Sequence, residues 1–246
     1  MEVYLIAHTP DPEAIVAAAA KICYSPLSVE EIIRSAMDGD NAAYIKKLAG
    51  MGHESPIEHV SFTFAIEGVS RTLLAQLTRH RIASYSVRSQ RYVSEIGFDF
   101  VVPPEIAEDP QAAYIFDGAM GSLDMEYRQL VKRLKELYIE RGMETAAARK
   151  KAQEDARFVL PNACETQLMM TMNARELLHF FSKRCCNRAQ WEIRQMADEM
   201  LRLCKGVAPH IFDKAGPACV RGKCPEGDMS CGESAAMRLK YMGLGE

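Results

Sequence analysis

The pattern of apolar and polar residues predicts one strand and three helices along the first fifty positions of the chain. Residues 2–7 predict the short strand. Residues 12–23 are rich in alanine and begin with proline, so they predict a helix. Ser28 and Glu31 have the spacing of a capping box, so a second helix should begin there, and residues 42–48 predict a third.

A loop, a strand and a short helix are predicted next. Residues 53–59 contain a proline and predict a loop, whereas residues 60–67 alternate apolar with small or polar residues, as a half-buried strand does. Ser70 is a suitable cap for a helix that carries the leucines after it. That helix should present the basic triplet at 79–81 at its C-terminal end.

The second half of the chain predicts long helices around one further strand, after a break at the Pro-Pro pair of positions 103 and 104. The predicted elements are helices over 111–141 (ended by Gly142) and 144–157, a turn at Pro161 and Asn162, a strand over 165–172, and helices over 174–183 (with Asn173 and Glu176 at cap spacing) and 189–205 (with Gly206 as C-cap). We therefore predict a single α+β domain, whose core is a mixed or antiparallel sheet flanked by helices, over residues 1–215. Residues 216–246 should form a Cys- and Gly-rich tail of loops and a short helix.

Composition narrows the class of protein. The chain has 246 residues, is 48% hydrophobic and carries a formal net charge of −3, which disfavours a nucleic-acid-binding protein because such proteins are usually basic. It shows no N-terminal signal pattern and no apolar run of the roughly 20 residues that a membrane span needs. We therefore expect a cytoplasmic protein that binds neither nucleic acid nor membrane.

Eight cysteines raise the question of disulfides or metal. Without a secretory signal, reduced thiols are expected. Three cysteines cluster in the tail, but their spacings match no standard zinc ribbon and a fourth ligand is not evident, so no metal site is predicted. The tail cysteines are Cys219, Cys224 and Cys231, and those expected to be packing residues are Cys23, Cys164, Cys185, Cys186 and Cys204.

The segment over residues 79–92 concentrates positive charge. It holds four arginines and a histidine among serines and tyrosines, and no Asp or Glu occurs from position 68 to position 94. Guanidinium groups match the geometry of phosphate and carboxylate, so the segment predicts a pocket for a phosphorylated small molecule. A solvated basic face or an RNA-binding patch is the alternative that composition leaves open.

The same segment carries a specific motif. Arg79-His80-Arg81, followed after seven residues by Ser89, one residue and Arg91, resembles the signature of the flavin-dependent thymidylate synthases, and the match includes Tyr92. The resemblance continues in order and spacing from about residue 53 to residue 195. It covers residues 53–59, residues 157–161, Asn173-Ala174-Arg175, Arg184 and residues 189–194.

This resemblance implies a homotetramer whose active sites are shared between subunits, and a reaction that converts dUMP to dTMP. 5,10-Methylenetetrahydrofolate would donate the carbon, FAD would be the cofactor and NADPH the reductant. Arg184 would be catalytic by activating the uracil ring, and His53 would lie near flavin or folate. The residues implied for dUMP are Gln76, Leu77, Thr78, Arg79, Val87, Arg88, Ser89, Gln90, Arg91, Arg157 and Arg184. Those implied for FAD are Ser55, Arg79, His80, Arg81, Val87, Asn173, Ala174, Arg175 and His179.

The chain departs from the family pattern in two places. Many members have Asn-Glu where this chain has Ser86-Val87, so Val87 offers only its backbone, and His179 stands where relatives have Asn. The first departure keeps open a flavoprotein of the same fold with another substrate. The Met run at 169–172 and Trp191 are expected to be core residues rather than cofactor contacts.

Overall fold

Four strands form one antiparallel sheet in the computed structural model of the chain, which describes residues 1–242. They are Glu2–His8 (β1), Ser61–Ser70 (β2), Ser84–Val87 (β3) and Glu165–Asn173 (β4), in the spatial order β1-β2-β4-β3. In β2 and β4 alternate residues are buried, so each strand has one face on the core. The predicted α+β class is confirmed.

Helices make up most of the remaining structure. They are Pro12–Ile22 (α1), Val29–Met37 (α2), Ala42–Gly50 (α3), Arg71–Leu77 (α4), Pro104–Glu108 (α5), Pro110–Glu140 (α6), Thr145–Ala156 (α7), Ala174–Arg184 (α8), Trp191–Val207 (α9) and Ser234–Met242 (α10).

The predicted helix starts are confirmed by their hydrogen bonds. Ser28 and Glu31 form the reciprocal capping box of α2. The Leu73 amide donates to the Ser70 hydroxyl over 3.1 Å at the start of α4. The Glu176 amide donates to the Asn173 side-chain oxygen over 2.9 Å and caps α8. Since each cap satisfies a backbone donor that the helix leaves unpaired, side chains of the predicted type set these boundaries.

Several local predictions were wrong. Strand β3 and helix α5 were not predicted, and Gly206 lies inside α9, which continues to Val207. Met169 is 45% exposed because strand alternation turns it away from its buried neighbours Met170 and Met172. Trp191 is half-buried at the start of α9, where the helix meets solvent. Cys23 is exposed just after α1 ends and packs in no core.

The described chain forms two compact units, each built from several segments. Among the described residues, the first comprises 1–66, 77–85 and 169–242, and the second comprises 67–76 and 86–168. The boundaries between the two units fall within the strands β2, β3 and β4.

Each unit has its own apolar core. In the first, Phe62 and Phe181 both meet Phe212 edge to face, with ring centroids 5.4 and 6.0 Å apart. In the second, Tyr127, Val131 and Ala156 join α6 to α7. The burial of these side chains supplies the main stabilisation of each unit.

The tail belongs to the first unit, although its last four residues, 243–246, lie outside the described residues. Tyr241 of α10 is fully buried, and its hydroxyl lies 2.9 Å from the Cys185 carbonyl oxygen. The Lys205 ammonium donates to the Tyr241 carbonyl, and the Arg238 guanidinium donates to the Cys219 carbonyl over 2.9 Å. The tail is therefore fastened to α9 and to the end of α8 by specific bonds.

Gly216 should be required for this fastening. Its φ is +145°, and a Cβ at this position would lie 2.9 Å from Cγ of Tyr241. We expect Gly216→Ala to lower the free energy of unfolding by about 1–3 kcal/mol, because an unfavourable backbone conformation and a steric clash are added together. Urea unfolding of the purified protein measures the change.

Gly222→Ala is the matched control, since no heavy atom lies within 4 Å of its Cβ position and its φ is ordinary. Equal unfolding midpoints for the two variants would contradict the proposed packing of Gly216 against Tyr241.

Candidate functional site

The basic triplet Arg79-His80-Arg81 follows α4 in a tight turn of the first unit. The His80 amide donates to the Leu77 carbonyl over 3.0 Å. The Tyr85 hydroxyl lies 3.0 Å from the Leu77 carbonyl oxygen and 2.9 Å from that of His80. Burial raises the pKa of Tyr85 to about 12, so its hydroxyl stays protonated and holds the turn as a donor.

His80 is the buried member of the triplet, with 7% of its surface exposed. Its Nδ1 lies 3.2 Å from a carboxylate oxygen of Glu176, and its Nε2 lies 3.1 Å from Nε of Arg184. The rings of Phe180 and His179 meet it edge to face at 4.9 and 5.9 Å. Burial lowers the pKa of His80, the hydrogen bond that His80 makes to Glu176 opposes that shift, and the positive charge of Arg184 adds to it.

A cavity of about 560 Å³ opens beside this cluster, within the first unit. Most of its charged lining is cationic: Arg79, Arg81, Lys183, Arg184 and Arg188, beside the imidazole of His80 and against the carboxylates Glu176 and Glu226. Arg79, Arg81 and Lys183 form no ion pair with a carboxylate among residues 1–242. Burial and the charge on Arg79 lower the pKa of Arg184. The cavity is therefore suited to a polyanionic ligand.

A neighbouring cavity of about 600 Å³ shares Glu176, His179 and Ser182 with the first and is also lined by Asn173 and Arg175. Arg175 already pairs with Glu58, and its Nε lies 3.3 Å from a carboxylate oxygen of Glu54. The Asn173 side chain already caps α8. A ligand in this cavity would thus meet an arginine whose charge is largely neutralised.

The other residues predicted for the first unit do not line these two cavities. Ser55 is exposed ahead of a 3₁₀ turn, Ala174 is fully buried and Leu77 is core. Thr78 is exposed immediately after α4. His53 lines a third cavity, of about 370 Å³.

The remaining predicted residues lie in the second unit and are described within it. The Arg91 guanidinium donates to Glu154 over 2.9 Å, and its amide donates to the Ser89 hydroxyl over 3.2 Å. The Gln90 amide lies 3.8 Å from the Cys164 sulfur. The others occupy the end of α4, the end of β3 and the turn after α7: Gln76, Val87, Arg88 and Arg157.

Glu95 of the second unit is a residue that the sequence analysis did not include. It is 2% exposed, and its two carboxylate oxygens lie 3.7 Å from Arg71 and 3.5 Å from Arg88. Burial raises the pKa of Glu95, and the two guanidinium groups oppose that shift. It is the first acidic residue after the acid-free stretch of the sequence, which was the signal available for finding it.

The tail contributes sulfur atoms to the wall of the first cavity. Cys186, Cys219, Cys224 and Cys231 all line it, and the hydroxyl of Ser230 lowers the pKa of Cys224. Among residues 1–242, the group of three potential metal ligands whose atoms lie within 4.8 Å of one another is His80, Glu176 and His179. The tail cysteines do not belong to this group.

Comparisons with known proteins agree along nearly the whole chain. The family model described as "Thymidylate synthase complementing protein" (Thy1) matches residues 4–210. A "Flavin-dependent thymidylate synthase" of Clostridium tetani is 53% identical, with 98% of this chain and 97% of the relative covered. Relatives of the same name from Geobacter sulfurreducens and Nitratidesulfovibrio vulgaris are 50% and 47% identical over 98% and 94% of each chain. Among the described residues, no helix has the length and apolar character needed to cross a membrane.

The carboxylate of Glu95 should be essential to the stability of the protein. We expect Glu95→Ala to lower the free energy of unfolding by about 3–5 kcal/mol, because it leaves two partly buried guanidinium groups without their counter-charge. Glu154→Ala removes the partly exposed partner of Arg91 and should cost about 1 kcal/mol or less. Urea unfolding compares the two variants, and similar costs would show that Glu95 does not compensate Arg71 and Arg88.

Proposed function

Because this chain belongs to the thymidylate synthase complementing protein family, together with the flavin-dependent thymidylate synthases, we propose that it is an enzyme that makes dTMP from dUMP. In this reaction 5,10-methylenetetrahydrofolate donates the carbon that becomes the methyl group, with FAD as cofactor and NADPH as reductant. The observation that carries the proposal is the cationic cavity of the first unit, in which Arg184 is held against His80.

The donor set of this cavity fits FAD. The diphosphate of FAD needs several cationic donors that are not neutralised by carboxylates, and Arg79 and Arg81 are of this kind. His179 lines both larger cavities, and Asn173 and Arg175 line the second. The full set that we propose for FAD is Ser55, Arg79, His80, Arg81, Val87, Asn173, Ala174, Arg175 and His179. When bound, the flavin supplies the hydride that reduces the transferred carbon.

Arg184 is the residue that we propose to activate the uracil ring. C5 of uracil is a weak nucleophile, and its attack on the one-carbon unit requires negative charge to develop over N3 and the neighbouring carbonyl. A guanidinium that is fixed in place before the reaction stabilises that charge at little reorganisation cost. Arg184 lines the cavity and is held by His80, which supplies the fixed orientation.

The substrate dUMP would be held mainly by polar side chains of the motif and of the helix before it, together with Arg157 and Arg184. Ser89 is assigned to binding rather than nucleophilic attack, because a serine without a base partner is a weak nucleophile. Arg91 would contribute a positive charge to dUMP binding, and in this structure its guanidinium pairs with Glu154. The full set is Gln76, Leu77, Thr78, Arg79, Val87, Arg88, Ser89, Gln90, Arg91, Arg157 and Arg184, and His53 is assigned to the vicinity of flavin or folate.

We further propose a homotetramer with active sites shared between subunits. Large apolar side chains of the second unit support a subunit contact, since Tyr114, Ile115 and Phe158 are 81%, 63% and 83% exposed. Residues 1–215 would form the synthase domain and residues 216–246 its tail. The free thiols of all eight cysteines support a reducing compartment such as the cytoplasm.

Two other functions have less support. A nucleic-acid-binding surface would need its arginines available to phosphates, yet Arg88 lies beside Glu95 and Arg91 beside Glu154. A flavoprotein with another substrate is suggested by Val87, whose side chain cannot provide the carboxylate of many relatives. Release of tritium from C5-labelled dUMP distinguishes that flavoprotein from a synthase.

Visible spectroscopy provides the first test. We expect the purified protein to show a flavin spectrum, alone or after addition of FAD. Under anaerobic conditions NADPH should bleach this spectrum faster when dUMP is present, because nucleotide and flavin occupy one active site. A colourless protein that takes up no FAD would overturn the cofactor assignment. A bleaching rate that does not change when dUMP is added would favour the flavoprotein with another substrate.

Replacement of Arg184 tests the catalytic assignment. We expect Arg184→Ala to reduce dTMP formation by at least about 100-fold while FAD still binds, because a preorganised charge is lost from the transition state. Cys186→Ala is the matched control, since Cys186 lines the same cavity and the proposed reaction forms no cysteine adduct. Normal turnover by Arg184→Ala, or loss of turnover by Cys186→Ala, would refute the assigned mechanism.

A further inference from the structure

Both ring nitrogens of His80 are already engaged inside the protein. Nδ1 lies 3.2 Å from Glu176 Oε1, and Nε2 lies 3.1 Å from Nε of Arg184. The ring has 7% of its surface exposed and packs against Phe180. A buried imidazole with two partners has no further nitrogen with which to bind a cofactor.

The partners determine which nitrogen carries the proton. The Nε–H of an arginine only donates, so Nε2 of His80 must accept with its lone pair. The proton of the neutral ring is then on Nδ1 and is donated to the carboxylate of Glu176. Glu176 is itself fixed, because its amide is bonded to Asn173 at the start of α8 and its residue is buried.

We propose that His80 is a positioning residue for Arg184: the chain of hydrogen bonds Glu176–His80–Arg184 orients the catalytic guanidinium, and the His80 ring makes no hydrogen bond to the flavin. The inference rests on the proposed function of Arg184 and replaces the assignment of the His80 ring to cofactor binding. Because the guanidinium is planar and rigid, a bond to its Nε restricts the plane of the whole group.

This arrangement holds only while His80 is neutral. A second proton would turn Nε2 into a donor facing the Nε–H of Arg184, which removes the hydrogen bond and sets two positive charges against each other. The charged and titratable groups around the ring are Glu176, His179 and Arg184, and Arg79 acts on Arg184 in turn. Since the pKa of His80 lies below its ordinary value, the orientation should fail only in moderately acidic solution.

Protonation of His80 should also change the free energy of unfolding, and the lowered pKa determines the direction of that change. With the folded-state pKa lowered, the unfolded chain binds a proton that the folded chain does not, in the range below about pH 6.5. The contribution of neutral His80 to stability is therefore present above that range and is lost as the pH falls through the folded-state pKa.

Two substitutions separate the two bonds of the ring. His80→Asn places an amide near the position of Nδ1 and can keep the bond to Glu176, but its side chain is too short to place an acceptor where Nε2 meets Arg184. His80→Gln reaches the position of Nε2, so its side-chain oxygen can accept from Arg184. His210→Asn is the matched control, because His210 forms another histidine–glutamate pair, 2.7 Å from Glu13, and does not line the cavity of Arg184.

We expect His80→Asn to bind FAD within about threefold of the unmodified protein, measured by flavin fluorescence. Its kcat should fall about 100-fold, since a small misplacement of a catalytic group has an effect of that order. His80→Gln should keep most of kcat, and it should lose the decline of kcat that the unmodified enzyme shows as the pH falls below about 6.5. His210→Asn should change neither quantity.

Thermal unfolding between about pH 8 and pH 5 provides a readout that does not depend on activity. The melting temperature of the unmodified protein should fall more steeply at acidic pH than that of His80→Gln. If the unmodified protein binds no FAD or makes no dTMP, the proposed function fails, and the unfolding data still test the buried neutral His80. If turnover is normal in the unmodified protein, and His80→Asn either keeps full kcat or loses FAD binding first, the positioning role is refuted.

Discussion

The hydrogen bond from Arg184 to a neutral His80 is the contact on which the candidate site depends. It joins the end of α8 to the turn after α4, two segments that are 104 residues apart. The Tyr85 hydroxyl holds the same turn from the other side through two carbonyl groups. A buried imidazole between a carboxylate and a guanidinium is satisfied in only one tautomer, so the site is defined as much by a proton position as by packing.

The five arginines between positions 68 and 94 fall into two electrostatic classes. Arg71 and Arg88 face buried Glu95, and Arg91 pairs with Glu154, so these cations are compensated within the second unit. Arg79 and Arg81 of the first unit have no carboxylate partner among residues 1–242. Local charge composition could not make this distinction, because all five residues belong to one stretch that contains no acid until its end. The uncompensated pair is what makes the first cavity suited to a polyanion.

Local features of the fold could be predicted from sequence because their causes are local. The caps at Ser28, Ser70 and Asn173 act over three residues, and the alternation of β2 is a property of one strand. Gly206 was assigned to a helix end on the same local grounds, but α9 runs through it, since the next residues keep their helical hydrogen bonds. Strand β3 was missed because it has only four residues, Ser84–Val87, within a basic motif, and so short a segment gives little periodic signal.

The candidate site could be predicted only in part, because its contacts join segments that are far apart in sequence. The motif identified Arg79, His80, Arg81 and Arg184, but the partners that give each of them a different role come from distant segments. Glu176 was recognised as a cap partner of α8, yet its carboxylate contacts His80 across 96 residues of sequence. Interactions of this range leave no spacing pattern, and the structure was needed to find them.

The tail extends the site beyond the part of the chain that the family model matches. That match ends at residue 210, whereas the cavity is walled in part by Cys219, Cys224 and Cys231. Buried Tyr241 and the bonds of Arg238 keep this wall in place. The distance between this wall and Arg184 is therefore set by contacts that have no part in the proposed reaction. A change in the tail would reshape the cavity without altering any residue of the motif, so under the proposed function the tail would help to determine how closely the site encloses its ligands.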